Sequence, residues 1–128
     1  MILFLDTTSD TYVLALATRE GRLFYTRKIV RDERIGDRVF HIVENFLKKK
    51  KPTAIIAVTG PGRFSGIRHG MSIANTLAFV WHIPLIGIEK KDNETLQALV
   101  KRALLQKTSS SLLTPRYGQE PTITITTK

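Results

Sequence analysis

The sequence predicts an α/β fold, a mixed five-stranded sheet flanked by helices. Three observations support this. Three short apolar segments open the chain, and helical and strand patterns then alternate up to residue 106. The length of 128 residues suits about one domain. The apolar fraction of 42% and the charged fraction of 24% are those of a globular protein, which disfavours fibrous and disordered classes.

The first three elements are predicted to be strands. Residues 1–6 form an apolar run that ends in Asp6, and residues 12–18 are apolar enough for a central strand. Residues 22–30 follow a turn at Gly21, and alternation places Leu23 and Tyr25 on one side of the sheet. Short turns between consecutive strands predict an antiparallel meander.

The remaining elements are predicted to run helix, strand, helix, strand, helix. In chain order they cover residues 37–47, 54–58, 66–81, 84–88 and 93–106. Asp37 is the predicted N-cap of the first helix, Pro52 follows its end, and Asp92 or Asn93 caps the last helix. The order βββαβαβα is the ribonuclease H-like arrangement, which the actin-like ATPases share.

The composition changes after Lys107, which divides the chain into two parts. Residues 1–107 are predicted to form the folded lobe, and residues 108–111 read as a linker. Residues 122–126 alternate Thr and Ile, so the tail up to residue 128 would either add an edge strand or dock elsewhere.

The net charge of +9 and the pI near 10.2 favour an anionic partner such as a nucleic acid, a nucleotide or an acidic protein. The basic groups are spread along the whole chain. Their one run, residues 48–51, is explained by a solvated helix C-terminus, where cations suit the helix dipole.

The most informative loop joins the fourth strand to the second helix. Its spacing, Gly-x-Gly-x-x-x-Gly, fits neither a dinucleotide fingerprint nor a Walker A loop. The free N–H groups of such a junction could hold an anion, or the glycines could serve close packing of helix on sheet. The residues of this candidate anion or phosphate site are Asp6, Thr7, Gly60, Gly62, Ser65, Gly66 and Arg68.

No catalytic or metal-binding residues are predicted. Asp6 ends the first strand, where ribonuclease H-like nucleases place a metal ligand, but two-metal chemistry needs several converging carboxylates. Only Glu44 and Glu89 offer themselves as partners. The three histidines lack metal-ligand spacing, and there is no cysteine. A small metal-dependent nuclease and a basic RNA-binding module stay open as alternative functions.

Two predicted helices carry more apolar residues than a single buried face requires. These residues could form the core or meet a partner or a second copy of the chain. The candidate interface residues are Val39, Ile42, Val43, Phe46, Met71, Ala74, Leu77, Ala78 and Trp81.

Three segments together resemble the TsaB (YeaZ) family of tRNA-modification subunits. They are Asp6-Thr7-Thr8-Ser9, the run from Gly60 to Gly70, and Ile83-Pro84-Leu85-Ile86-Gly87-Ile88. The family loop reads Gly-Pro-Gly-Ser-Phe-Thr-Gly-Leu/Ile-Arg-x-Gly, and here Arg63 and Ser65 replace its serine and threonine. Ile35-Gly36 stand where members usually carry His-Ser. The resemblance covers roughly residues 1–106.

The resemblance implies a non-catalytic scaffold in the synthesis of N6-threonylcarbamoyladenosine at position 37 of tRNA. The implied partners are a TsaD-like transferase subunit and a TsaE-like ATPase, with tRNA met indirectly and a homodimer when the chain is alone. The short distance from the linker to a Pro-x-Tyr-x-x-x-Pro ending at residues 115–121 implies a reduced form that lacks most of the second lobe. No cofactor is then required, although ATP or magnesium would fit the fold class.

The N-terminus and the hydropathy pattern indicate a cytoplasmic protein without membrane contact. Asp6 interrupts the region where a signal peptide needs apolar residues, and no apolar run is long enough for a membrane span.

Overall fold

A computed structural model of the chain describes residues 1–32, 34–62 and 64–106, apart from the side chains of residues 36 and 37. The predicted order of elements is confirmed. The elements are β1 (Ile2–Asp6), β2 (Thr11–Ala17), β3 (Leu23–Val30), α1 (Ile35–Leu47), β4 (Ala54–Gly60), α2 (Phe64–Trp81), β5 (Leu85–Glu89) and α3 (Leu96–Gln106). The predicted linker and tail, residues 108–128, lie outside the described residues.

The five strands form one mixed sheet in the order β3-β2-β1-β4-β5. The meander is antiparallel, and β1, β4 and β5 run parallel to one another. Strand β1 is central and buried over all five residues, which explains why it is a continuous apolar run.

The two faces of the sheet build separate apolar clusters, so the lobe has three layers. On one face, Leu3, Leu5 and Ile55 pack with α1 and α2. On the other, Phe4 and Ile56 pack with α3. Alternate residues of each central strand therefore serve opposite layers.

The predicted N-caps of the first and last helices, α1 and α3, are each wrong by a few residues. Helix α1 begins at Ile35, so Asp37 lies inside it; the N-cap residue is Arg34, which makes no side-chain capping hydrogen bond. The backbone N–H of Arg34 donates to Asp32 Oδ1 at 2.9 Å. Helix α3 begins at Leu96, because Asn93 has a left-handed φ of 61°. The hydroxyl of Thr95 accepts from the N–H of Ala98 at 3.1 Å and caps that helix.

The predicted common face for Leu23 and Tyr25 is also wrong. The register of β2 with β3 shifts between Leu16 and Ala17, which pair with Tyr25 and Leu23 respectively. Leu23 therefore packs with the α3 layer, whereas Tyr25 stacks on Phe46 of α1 at a ring-centroid distance of 5.1 Å. A bulge of this kind reverses the alternation from one side of the irregularity to the other.

Helix α3 is fastened to the β2–β3 turn through its polar and apolar side chains. The side-chain amide of Gln97 accepts from the N–H of Leu23 at 3.1 Å and donates to the carbonyl of Gly21. Gly21 has a φ of 92°, and a Cβ there would lie 3.1 Å from Cδ1 of Leu104. The turn thus needs glycine for both its backbone and the closeness of α3.

Strand β3 forms one edge of the sheet and is the most exposed strand of the lobe. Five of its eight residues in a row, from Phe24 to Lys28, are exposed, and Val30 is 73% exposed. Within the described residues, no helix is both long and apolar enough to cross a membrane.

Candidate functional site

The predicted anion-site residues come together at one edge of the sheet. Strands β1, β4 and β5 are parallel, so their last residues, Asp6, Gly60 and Glu89, lie together at the edge formed by the carboxyl ends of these strands. A backbone hydrogen bond of 2.9 Å from Lys90 N to the carbonyl of Gly60 joins two of these ends. Gly60 has a φ of 140°, which a residue with a side chain rarely adopts.

The carboxylate of Asp6 is buried and already engaged by protein groups. Its Oδ1 accepts from the backbone N–H of Thr8 at 2.9 Å and from the Thr8 hydroxyl at 2.6 Å. Its Oδ2 lies 3.2 Å from Nζ of Lys90. These contacts make Asp6 a clasp between the ends of β1 and β5.

The glycines of the loop allow α2 to lie directly against residues 7–8. A Cβ built on Gly62 would overlap the carbonyl oxygen of Thr8, and one on Gly66 would overlap the carbonyl oxygen of Thr7. One on Gly70 would overlap the Thr7 hydroxyl, which itself donates to the carbonyl of Gly66 at 2.5 Å. Close packing is therefore sufficient to explain the glycine spacing.

Two cations reach this edge that the sequence analysis did not identify. Lys90 follows β5 directly, and Arg31 follows β3 and donates from Nη2 to Oγ of Ser65 at 2.5 Å. Nε of Arg31 is buried and has no hydrogen-bond partner among the residues that the structure describes. Both residues follow a strand that ends at this edge, and this position in the sequence could have identified them.

The predicted cation Arg68 points its charge at an aromatic ring. Its guanidinium carbon lies 5.4 Å from the ring centroid of Phe64, one turn earlier on α2. The first turn of α2 carries no acidic residue. Arg68 is thus directed at Phe64, whereas Lys90 places its positive charge beside Asp6 and Arg31 beside Ser65.

Histidine and carboxylate groups do not assemble a metal site in the part of the chain that the structure describes. His69 is instead near a tyrosine: its Nδ1 lies 3.5 Å from the hydroxyl of Tyr12.

Two carboxylates outside the anion site have a lowered pKa. Hydrogen bonds from the backbone of Arg34 and the side chain of Arg38 lower the pKa of Asp32.

Glu94 forms a second charged clasp, between the end of β5 and α3. Arg102 donates to it from Nε at 2.7 Å and from Nη2 at 2.8 Å, and also to the carbonyl of Glu89 at 2.6 Å. The hydrogen bond from Arg102 lowers the pKa of Glu94, and the same bond raises the pKa of Arg102.

The predicted interface residues are mostly part of the chain's own core. Ile42 and Trp81 are partly exposed. The other seven are buried: Val39, Val43, Phe46, Met71, Ala74, Leu77 and Ala78. Their side chains fill the space between the sheet and α1 and α2, so a partner could not reach them without unfolding that layer. The pairing of these helices with a partner stays a prediction, and the groups available for it are different ones.

The exposed side of α2 is what the helix offers to another molecule. We call it the α2 outer face; its residues are Phe64, Arg68, Ser72, Thr76, Phe79 and Val80, all exposed. Five of them repeat every four residues, which places them along one stripe of the helix. Phe79 is 77% exposed and Val80 is 60% exposed. Arg68 is the one charged residue among the six.

Comparison with known proteins gives one family and two groups of structures. Residues 36–115 match the family model described as TsaD, tRNA N6-adenosine threonylcarbamoyltransferase. The chain is similar to YeaZ from Pseudomonas aeruginosa, with 27% identity and a TM-score of 0.59 over 69% of this chain and 43% of that chain. A second structure, an uncharacterized protein with similarity to peptidase YeaZ from Pseudomonas aeruginosa, matches with 27% identity and a TM-score of 0.60, over 69% of this chain and 42% of that one.

RuvC from Thermus thermophilus matches with a TM-score of 0.57 and 12% identity, over 84% of this chain and 97% of that chain. At that identity the likeness shows a shared fold alone. The YeaZ and RuvC matches together confirm the predicted ribonuclease H-like and actin-like fold class. The chain spans less than half the length of the YeaZ structures it matches.

Proposed function

The chain belongs to the TsaD family, described as tRNA N6-adenosine threonylcarbamoyltransferase, and we propose that it serves threonylcarbamoyladenosine synthesis as a non-catalytic scaffold. In this proposal it pairs with a TsaD-like transferase subunit, a TsaE-like ATPase joins the pair, and tRNA is met through the complex. The likeness to YeaZ at 27% identity supports the scaffold role over that of the transferase.

The observation that carries the proposal is the α2 outer face. A solvent-facing helical stripe normally consists of charged and polar residues, whereas this one has three large apolar side chains and one charge. Ser72 and Thr76 lie between the apolar groups, and their small size lets another helix approach closely. The same face would join two copies of the chain when the transferase is absent.

The state of the anion-site residues supports a structural role for the glycine-rich loop. Asp6 and Ser65 accept hydrogen bonds or ion pairs from the chain itself, and the glycines accommodate Thr7 and Thr8. In the proposal this edge fixes the position of α2, which carries the outer face. No cofactor is required for that task.

The nuclease alternative lacks support at the same edge. Asp6 is the one carboxylate on β1, and the described residues bring no third metal-ligating group to it. Two-metal cleavage needs several carboxylates at one point. The likeness to RuvC gives fold alone and adds nothing to that reading.

The test is a titration of the purified chain with the transferase subunit of the same organism. Phe79→Glu and Val80→Glu each place a charge in the proposed interface, and each is expected to weaken binding by at least about tenfold, which corresponds to ~1.4 kcal/mol. The matched control is Leu105→Glu on α3, which is 81% exposed and lies on the other side of the sheet.

All three variants replace exposed residues, so the far-ultraviolet circular dichroism and the urea midpoint should stay those of the wild type. Wild-type affinity in both α2 variants would exclude the outer face as the interface. No binding of the wild-type chain at any accessible concentration would remove the scaffold proposal.

A further inference from the structure

Strand β3 has a free backbone edge in the part of the chain that the structure describes, since it is the outermost strand on its side. The N–H of Arg31 bonds to the carbonyl of Asp10, directly opposite, at 2.8 Å, and the pairing of β2 with β3 continues from there. In antiparallel strands, residues that exchange hydrogen bonds alternate with residues that do not. The N–H and C=O groups of Thr26, Lys28 and Val30 therefore point away from β2, toward the free edge.

The segment around this edge is strongly basic. Residues 19–31 carry five basic side chains and one acidic side chain. Two of the cations, Arg27 and Lys28, are exposed in the second half of β3. A second copy of the chain would bring the same cations to a shared edge, and like charges on paired strands are unfavourable. An extended segment that carries carboxylates is the complementary occupant.

The outward backbone groups favour a polypeptide over a nucleic acid as that occupant. Each outward-facing residue of β3 offers one donor and one acceptor. A nucleic acid backbone brings phosphate oxygens, which accept hydrogen bonds but do not donate them, so the carbonyl groups of β3 would find no match there. An added peptide strand supplies both donors and acceptors along the edge.

We propose that the edge of β3 binds an extended acidic segment of another protein, which joins the sheet as a sixth strand. This proposal is independent of the scaffold role, because none of the residues of β3 belongs to the α2 outer face.

The side chains of β3 define the sequence that such a segment should have. Tyr25 and Ile29 pack toward α1, so Arg27, which lies between them, shares their face. Lys28 and Val30 lie on the opposite face. Residues that pair across two strands share a face, so the segment should place two consecutive carboxylates opposite Arg27 and Lys28, with apolar residues on both sides.

The test uses the peptide Val-Val-Glu-Glu-Thr-Val-Val with blocked ends, whose residues would face positions 30 to 24 in antiparallel order. The full chain is labelled with nitrogen-15, titrated with the peptide, and followed by amide hydrogen exchange. Exchange at Thr26, Lys28 and Val30 is expected to slow by about tenfold or more at saturation. The control peptide Val-Val-Lys-Lys-Thr-Val-Val should bind at least about tenfold more weakly.

Variants of the chain separate the backbone contribution from the charge. Thr26→Pro removes one outward N–H and no charge, at an edge position where proline is tolerated, and should weaken peptide binding by about tenfold or more. Its matched control, Thr26→Val, keeps the N–H and should bind as the wild type does. Lys28→Glu should weaken binding equally, whereas Lys91→Glu, exposed beyond β5 at the opposite edge of the sheet, should not.

Three results would overturn the proposal. The first is the absence of binding of the glutamate peptide at about 1 mM. The second is slow exchange at Thr26, Lys28 and Val30 in the chain without peptide, because the edge would then already be covered. The third is binding of a uridine oligonucleotide that Lys28→Glu abolishes and Thr26→Pro leaves intact, which would assign the surface to nucleic acid. If Thr26→Pro shifts the urea midpoint, the pair Lys28→Glu and Lys91→Glu decides between the peptide and no specific partner.

Discussion

The contact of Thr7 with Gly66 and Gly70 gives a sharp prediction, because the two glycines meet different parts of the same residue. A methyl group on Gly66 would overlap the carbonyl oxygen of Thr7, which belongs to the backbone of the β1–β2 turn. A methyl group on Gly70 would overlap the Thr7 hydroxyl, which a rotation of the side chain can move. The first overlap can be relieved only by moving the backbone, whereas the second can be relieved by rotating a side chain.

The magnitudes follow from this difference. Gly66→Ala should lower the free energy of unfolding by about 1–3 kcal/mol, because the added methyl group overpacks the backbone of Thr7. Gly70→Ala forces the hydroxyl away from the carbonyl of Gly66, at about 1–3 kcal/mol, and recovers about 1 kcal/mol of helix propensity. With Thr7→Ala in the background, Gly70→Ala should become neutral or stabilising by up to about 1 kcal/mol.

Urea unfolding of the six proteins measures these values: wild type, Thr7→Ala, each glycine variant, and each glycine variant combined with Thr7→Ala. The expected result is a coupling of about 1 kcal/mol or more between Thr7 and Gly70, and less than about 0.5 kcal/mol of relief at Gly66. Equal costs for Gly70→Ala in both backgrounds would refute the steric explanation. A Gly66→Ala variant as stable as the wild type would refute the packing role of the loop.

Two further predictions concern the charged clasps. Asp6→Asn keeps an acceptor for Thr8 but removes the charge facing Lys90, so it should lower the free energy of unfolding by about 1–3 kcal/mol at neutral pH. The control Asp92→Asn, on the exposed surface, should change it by less than about 0.5 kcal/mol. Equal effects of the two variants in urea unfolding would contradict the role of Asp6 in linking β1 to β5. Because Arg102 lowers the pKa of Glu94, this pair stabilises the fold above the pKa of the unfolded glutamate, and the stabilisation disappears as the pH falls through the lower folded value. The stability difference between wild type and Glu94→Gln should therefore be present at about pH 7 and vanish at low pH, and a difference that persists in acid would assign it to packing.

The order of elements was predictable because each strand and helix carries its own local pattern. Strand β1 is a continuous apolar run and α1 repeats apolar residues at helical spacing, so neither depends on distant information. The bulge that separates Leu23 from Tyr25 was not predictable, since nothing local marks an extra residue in one strand of a pair. The same holds for Asn93, whose left-handed backbone delays the start of α3.

The sequence predicted where the candidate-site residues would lie, but it did not predict the contacts that they make. Parallel strands bring Asp6, Gly60 and Ser65 to one edge, as their positions after strands indicated. The contacts that occupy them come from Arg31 and Lys90, residues distant in sequence whose direction depends on the assembled sheet. Whether the predicted interface residues meet a partner stays a prediction: periodicity identifies the apolar side of a helix, and in α2 that side packs on the chain's own sheet.

The bonds of Gln97 to the β2–β3 turn have a consequence for how the chain is made on the ribosome. The turn precedes Gln97 by more than 70 residues, the separations being 74 and 76. At about 5–20 residues per second, synthesis leaves the turn without this partner for roughly 4–15 s. During that interval the hairpin is held by β1 and its own ladder, with the future α3 side of the sheet open to water. A nascent chain stalled before Gln97 would therefore leave this side of the sheet uncovered and open to misassociation.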